Sequence, residues 1–489
     1  MKRLCLILPL LFILFCDDED KRSIPPTPVG LFPVEYKDGT FIILWDQYYN
    51  EDFSKYELYE SMSEDMNNKT LIYQTQEITT LSYVVTGIVE GETRYYQIFI
   101  ENLEGLKSES NIRAGYRYPG ITFGGNERDY GKSILKTPDG GFIILSNTYS
   151  FGNGLRDFWL IKTDASGLEE WNQTFGGRES DISADFQQTT DGGFIIVGST
   201  SSFGSTNTED VWLIKTDSNG EEEWNKTFGG NSIDRATSLQ QTSDGGYIII
   251  GYTYSFGNGH FDFWLIKTDS NGEEEWNKTF GGDESDTGNS VKQTLDGGFI
   301  IVGNTYSFGN GEGDAWLIKT DSNGEEEWNK TFGGKYSDAS NSIQLVPGNG
   351  YIIAGNTVIA EDDPSDVWLI KTDSNGEEEW SKTFGGDYGH SGISIKNTPD
   401  GGFIIAGLQA TLRDSDMLLI KTDSNGNEQW NKTFGGIQTP GITGMDYGES
   451  VEQTTDGGYI IIGTTNCYGN GRADVWLIQV DSMGILDPF

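Results

Sequence analysis

Residues 227–278 read TFGGNSIDRATSLQQTSDGGYIIIGYTYSFGNGHFDFWLIKTDSNGEEEWNK, and their internal order decides the fold. Thr237 to Thr242 is a polar strand, and Asp244-Gly245-Gly246 is a turn. Tyr247 to Gly251 is an apolar strand. Phe256-Gly257-Asn258-Gly259 turns the chain again into Phe263-Trp264-Leu265-Ile266-Lys267-Thr268. Asp269-Ser270-Asn271-Gly272 then leads to a fourth strand, from Glu275 through Trp276 to Phe280. Gly, Asn and Asp at the tips are hairpin chemistry, so the unit is a four-stranded antiparallel meander.

The unit repeats. Thr-Phe-Gly-Gly begins at 122, 174, 227, 279, 331, 383 and 433. Strands such as Phe194-Ile195-Ile196-Val197 and Trp212-Leu213-Ile214 are apolar on successive residues. Both of their faces must be covered, as in a blade held between two others. The last unit ends at 485–489 without an outer strand, whereas an orphan Gly120-Ile121-Thr122-Phe123-Gly124-Gly125 precedes the first. Pairing the two removes two open sheet edges and closes a ring of seven. The fold class expected is all-β: a small sandwich, then a seven-bladed β-propeller of four-stranded blades closed by an N-terminal strand.

The repeat, over 118–489, resembles the tryptophan-containing repeats of quinoprotein-like propellers and related bacterial surface proteins. Trp159, Trp212, Trp264, Trp316, Trp368 and Trp476 fall in third strands. Trp171, Trp224, Trp276, Trp328, Trp380 and Trp430 fall in fourth strands. Their regularity reads as packing between blades, with a carbohydrate-stacking platform as the alternative.

Upstream lie three shorter regions. Lys2 and Arg3 precede an apolar run from Leu4 to Phe15, too short to span a bilayer, which stops at Cys16 before four acidic residues. This resembles a bacterial lipoprotein signal, although Phe15 stands where that family has a small residue. The resemblance implies a signal peptide over 1–16, lipidation of Cys16, and export with anchoring to the cell envelope, at the outer membrane or cell surface. Maturation would leave Cys467 without a partner, and it stands where other units carry Ser. Residues 17–28, acidic and then Pro-rich, read as a tether. Residues 29–117 carry strands at 41–45, 56–59, 81–85 and 95–100. With Trp45 as a core Trp and 91–95 as the turn into a tyrosine corner, they resemble a fibronectin type III domain.

Chemistry is sparse. The 489 residues hold 33 Lys+Arg against 75 Asp+Glu, a formal charge of −42, which disfavours nucleic acid as a partner. Only two His, His260 and His390, are available for a zinc site or a triad. The Asp-Ser-Asn-Gly-Glu loops superficially resemble calcium loops but lack the length and closing Glu of an EF-hand, and read as tight hairpin turns. No catalytic residue and no cofactor is predicted. Asp129, Asp181, Asp234, Asp286, Asp338, His390 and Asp446 begin the innermost strands and are expected to ring the channel mouth. Either they bond their own loops, or they hold a cation on the axis.

Near-identical blades argue against catalysis, which needs different groups in different roles. The chain is therefore expected not to be an enzyme. The reading is an envelope-anchored binding, adhesion or interaction protein, with the lipid anchor as its contact to the membrane and a protein or glycan ligand. An envelope-assembly scaffold is one alternative and a cofactor-dependent or hydrolytic propeller enzyme another. Departures from the repeat cluster at 358–365, 409–415 and 437–445. A selective ligand is expected on the face they build, with Asp362, Asp363, Tyr388, His390, Arg413, Thr439 and Met445 as its candidate residues.

Overall fold

A computed structural model describes the chain except for residues 1–24, 33, 38–39, 64, 89–92, 117–119, 205–207, 349, 411–413, 436–443, 470 and 487–489. Every regular element among the described residues is a β-strand. The chain divides into two compact units, residues 1–119 and 120–489. Cys16 and residues 91–92 lie outside the described residues.

In the first unit, Glu35–Lys37, Thr40–Leu44 and Ser82–Val85 form one sheet. Thr70–Thr75, Phe53–Ser61, Thr93–Asn102, Lys107–Glu109 and Arg113–Tyr116 form the second. The core joins the two: Phe41 and Ile43 from one face meet Leu58, Tyr96 and Ile98 from the other, with the Trp45 ring tilted against Tyr56, 5.8 Å between centroids. The expected strands are present, those at 56–59 and 95–100 extended to Phe53–Ser61 and Thr93–Asn102. Thr70–Thr75 was not anticipated, because its side chains stay largely exposed and give no buried-face pattern.

The second unit is seven four-stranded antiparallel meanders. The third blade is typical, with strands Asp234–Gln241, Tyr247–Thr253, Asp262–Thr268 and Glu274–Phe280. Its second and third strands are buried at nearly every position, as continuous apolarity requires. Its fourth is mostly exposed or half-buried and belongs to the rim. The seventh blade takes three strands from the C-terminal end and Ile121–Phe123 as its fourth. Phe123 pairs with Val475, Thr122 with Trp476 and Ile121 with Leu477. The ring thus closes as expected, a β-propeller sealed by its own first strand.

Blades adhere through the two Trp sets. Third-strand Trp264 is 3% exposed, packs on Phe256 with centroids 5.3 Å apart, and donates Nε1–H to Asn277 at 3.2 Å. Fourth-strand Trp276 lies half-buried against Phe299 of the following blade, 5.9 Å between centroids. The turn Gly324 of that next blade, at φ +76°, rests on the same indole, where a Cβ would come within 2.5 Å of the ring. Every innermost strand carries a bulge near its start, where the ladder skips one residue, as between Ala236 and Ser238. The same interruption recurs in the other six blades.

Candidate functional site

The bulges position the site. A bulged residue leaves the ladder and its side chain is re-aimed. Here the skipped residues are Lys132, Ala184, Thr237, Asn289, Asn341, Ile393 and Glu449, seven positions with six chemistries. They line a central cavity of about 510 Å³ to which the first strand of every blade contributes. The residue after each bulge is Ser in six blades and Asp185 in the second. Two positions further on stand, in blade order, Leu135, Gln187, Gln240, Lys292, Gln344, Lys396 and Glu452. Symmetry that holds at the blade cores therefore breaks on the axis.

Charge in the cavity inverts that of the chain. Lys132 pairs with Glu449 at 3.0 Å, Lys396 with Glu452 at 2.5 Å, and Arg235 with Glu209 at 2.9 Å. Asp185 accepts from Ser238 Oγ at 2.9 Å and the Leu239 amide at 3.2 Å. Two cations are left over. The Lys292 ammonium has no hydrogen-bond or ion-pair partner among the described residues, and burial pulls its pKa below the ordinary lysine value, with Asp185 opposing. Arg156 lies over Tyr130 and Tyr149, 5.6 and 5.9 Å from the ring centroids, with its Nε buried and unbonded.

Of the two readings of the Asp ring the structure has the first, in which the residues bond their own loops, and only their place at an open channel mouth is corrected. Asp129, Asp181, Asp234, Asp286 and Asp446 are 0% exposed, Asp338 3% and His390 7%, so they do not line an open mouth. The carboxylates fold back into their own blades. Asp234 Oδ2 accepts from the Gly230 amide at 2.8 Å and Ser255 Oγ at 2.7 Å, while Thr253 donates to Oδ1. Asp129, Asp181 and Asp286 repeat this, accepting from Gly125, Gly177 and Gly282. Among the described residues no three His, Cys, Asp or Glu converge as a metal would need. Each of these carboxylates instead faces one from the preceding blade. Asp262 Oδ1 and Asp286 Oδ2 lie 1.6 and 3.0 Å from where a Cβ on Gly281 would stand, which is why that position is Gly. Burial first, then the facing carboxylate, raises the pKa of Asp157, Asp262 and Asp314. Burial, and then Asp414 and Asp446 beside it, push Asp416 up to about 6.

Five of the residues expected on the irregular-loop face are described, Asp362, Asp363, Tyr388, His390 and Met445. Asp363 joins Ile359, Pro364, Asp366, Gly386 and Asp387 around a pocket of about 310 Å³, with Asp362 beside it in a left-handed conformation at φ 69°. Tyr388 is half-buried, and His390 is buried with its amide donating to Ser365 O at 2.6 Å. Met445 is exposed, its amide held by Asn466. Arg413 and Thr439 lie outside the described residues. Cys467 is half-buried, its amide donating to Thr465 Oγ1.

The calcium-like loops are turns. Asp217 Oδ1 accepts from the Asn219 and Glu221 amides at 2.8 and 2.9 Å, closing the loop on itself. At the other end of the blades the third-strand Lys is buried between two carboxylates: Lys267 meets Asp244 at 3.0 Å and Glu275 at 2.9 Å. Asp139, Asp191, Asp244, Asp296 and Asp400, bonded by a Thr hydroxyl, the Lys and a Gly amide, are held down to about 2. A depressed carboxylate contributes stability that is complete above its unfolded value, near pH ~4, and lost as pH falls through its folded one. Asp416 works the other way, losing its contribution as pH rises through about 6. The urea midpoint is therefore expected to fall between about pH 4 and pH 2, and less steeply in Asp191→Asn/Asp244→Asn than in wild type. Equal slopes in the two proteins would remove the Lys–carboxylate pairs as the cause.

No family model matches the chain, and no curated protein matches it. Solved structures do. The β-propeller domain of the Trilobed protease from Pyrococcus furiosus is 8% identical with a TM-score of 0.40, over 76% of this chain and 99% of that one. Polysaccharide lyase Uly1 is 11% identical at TM-score 0.44, over 75% and 93%. A Synechocystis apocarotenoid oxygenase is 10% identical at 0.38, over 84% and 95%. At these identities the likeness concerns the fold, a β-propeller. The expectation that the chain is not an enzyme does not stand, since a polysaccharide lyase and an apocarotenoid oxygenase are among these structural neighbours.

Proposed function

We propose that this is an envelope-anchored ligand-binding protein, tethered through Cys16 and presenting the propeller channel as its binding site. The observation that carries the site is the bulge ring. A selective site needs unlike groups at fixed positions on a rigid frame, and the seven skipped residues supply them from strands rather than loops. The ligand enters from the side of Arg156, whose loop joins the second and third strands, as 358–365 and 409–415 do in their blades. The irregular loops are then a rim that adds contacts, and the N-terminal sandwich, fibronectin-like in sequence, is a spacer.

The test begins with a glycan and protein array on the mature chain. Lys132→Asn/Glu449→Asn copies the residue that Asn289 and Asn341 provide at the same position, so blade packing is retained. It is expected to weaken the array ligand at least tenfold, about 1.4 kcal/mol, while replacing 358–365 by a regular-repeat segment changes affinity less. The reverse ranking would move the site to the loops. The anchor is read in the same preparation: Cys16→Ser should leave the membrane fraction, and wild-type fractionation of that variant would remove the tether from the proposal.

A further inference from the structure

We infer that the channel ligand carries an oxyanion, a carboxylate, phosphate or sulfate group on a small molecule, received by Lys292 and the serine ring. The inference rests on the channel being the binding site and names the chemistry it takes. Three observations support it. In a chain with 75 acidic and 33 basic residues, the cavity holds Lys132, Arg156, Arg235, Lys292 and Lys396, and its acidic groups are already bound. Glu209, Glu449 and Glu452 are ion-paired, and Asp185 takes a hydroxyl and backbone amides. What is left over is positive.

Second, the left-over ammonium belongs to a half-buried side chain in the cavity wall with no partner among the described residues, and burial lowers its pKa from the ordinary lysine value. An incoming anion supplies the missing counter-charge. Third, the walls donate. Ser133, Ser290, Ser394 and Ser450 line the cavity with hydroxyls that bond no other described residue, and a hydroxyl beside an ammonium is a donor for an oxyanion. The cavity of about 510 Å³ lies in the range for a small ligand. The other cations have carboxylates or aromatic faces against them, which makes Lys292 the recognition group and Arg156, over its two Tyr rings, an outer guide.

Calorimetric titration of the full mature chain with glucuronate, inorganic phosphate and inorganic sulfate tests this, and the three arms separate the sources of the oxyanion. At least one is expected to bind, with affinity falling as sodium chloride is raised. Lys292→Gln installs the residue that Gln187, Gln240 and Gln344 provide at the same place in other blades, so the fold is retained. It is expected to weaken binding at least tenfold, whereas Lys292→Arg keeps it within a few-fold. Binding of no probe, or equal binding by wild type and Lys292→Gln, overturns the oxyanion assignment. If the probes fail while Lys132→Asn/Glu449→Asn still abolishes the array ligand, the channel stands as the site and its chemistry is not anionic. If that variant binds the array ligand normally, the channel reading itself falls.

Discussion

Removing residues 120–125 from the mature chain is expected to give the largest loss of stability of any six-residue deletion outside the blade cores. The deleted strand supplies the fourth strand of the seventh blade, pairing Ile121, Thr122 and Phe123 with Leu477, Trp476 and Val475. Phe123 is 7% exposed and packs with Trp159, Ile462 and Val475, so its loss alone resembles a buried Phe→Ala change, about 3–5 kcal/mol. The deletion also bares an apolar strand edge at Asp474–Val480, a template for pairing with another chain. Differential scanning calorimetry with light scattering should show a lower Tm and concentration-dependent aggregation. Deletion of residues 1–117, which keeps the strand, should leave the propeller transition in place. Equal transitions in the two proteins would mean that the ring is not held at this seam.

The two tryptophan sets should separate by energy. Trp264→Ala removes an indole that is 3% exposed, packed on Phe256 and bonded to Asn277, and is expected to cost about 3–5 kcal/mol. Trp276→Ala removes a half-buried ring that touches Phe299 and the Gly324 turn of the next blade, and should cost about half as much. Urea denaturation followed by circular dichroism measures both. A larger loss at Trp276 would mean that the rim contacts between blades, not the sheet interiors, dominate the stability of the ring. A carbohydrate platform on the fourth-strand set is disfavoured by the same geometry, since those rings already have a neighbouring blade on one side.

Blade count, strand order and the closing strand were legible because each follows from a local rule repeated seven times. Apolar residues in succession marked Tyr247–Thr253 and Asp262–Thr268, Gly-rich tips marked the turns, and the orphan Ile121–Phe123 had one possible partner. The site was less legible. Asp129 and its counterparts occupy the place expected, at the start of the innermost strands, but position along a strand does not say which way a side chain turns. The Thr and Ser hydroxyls that draw these carboxylates inward lie about twenty residues downstream, at Thr148 and Ser150 for Asp129. Lys132 and Glu449 were passed over because the bulge shifts the two-residue alternation by one, so a strict period places them wrongly. One signal was present: aligned unit on unit, the third residue after each Asp (His390 in the sixth) has six identities over seven blades, while the fourth is Ser in six of seven.

The position of the seam also bears on how such a chain can change length. Asp-Ser-Asn-Gly-Glu-Glu-Glu-Trp-Asn-Lys-Thr-Phe-Gly-Gly recurs unaltered at 217–230, 269–282 and 321–334, and stretches this alike invite unequal crossing-over in the gene. Because the join lies within the seventh blade, a unit gained or lost in the middle leaves both halves of the closing blade intact, and the ring can still be fastened. What such an event changes is the bore. Lys132 and Glu449 are neighbours only across the seam, but Lys292, Lys396 and Asp185 depend on the circumference for their spacing. An eighth blade would pull the lining groups apart while leaving the pairing of Ile121–Phe123 with the last strand unchanged.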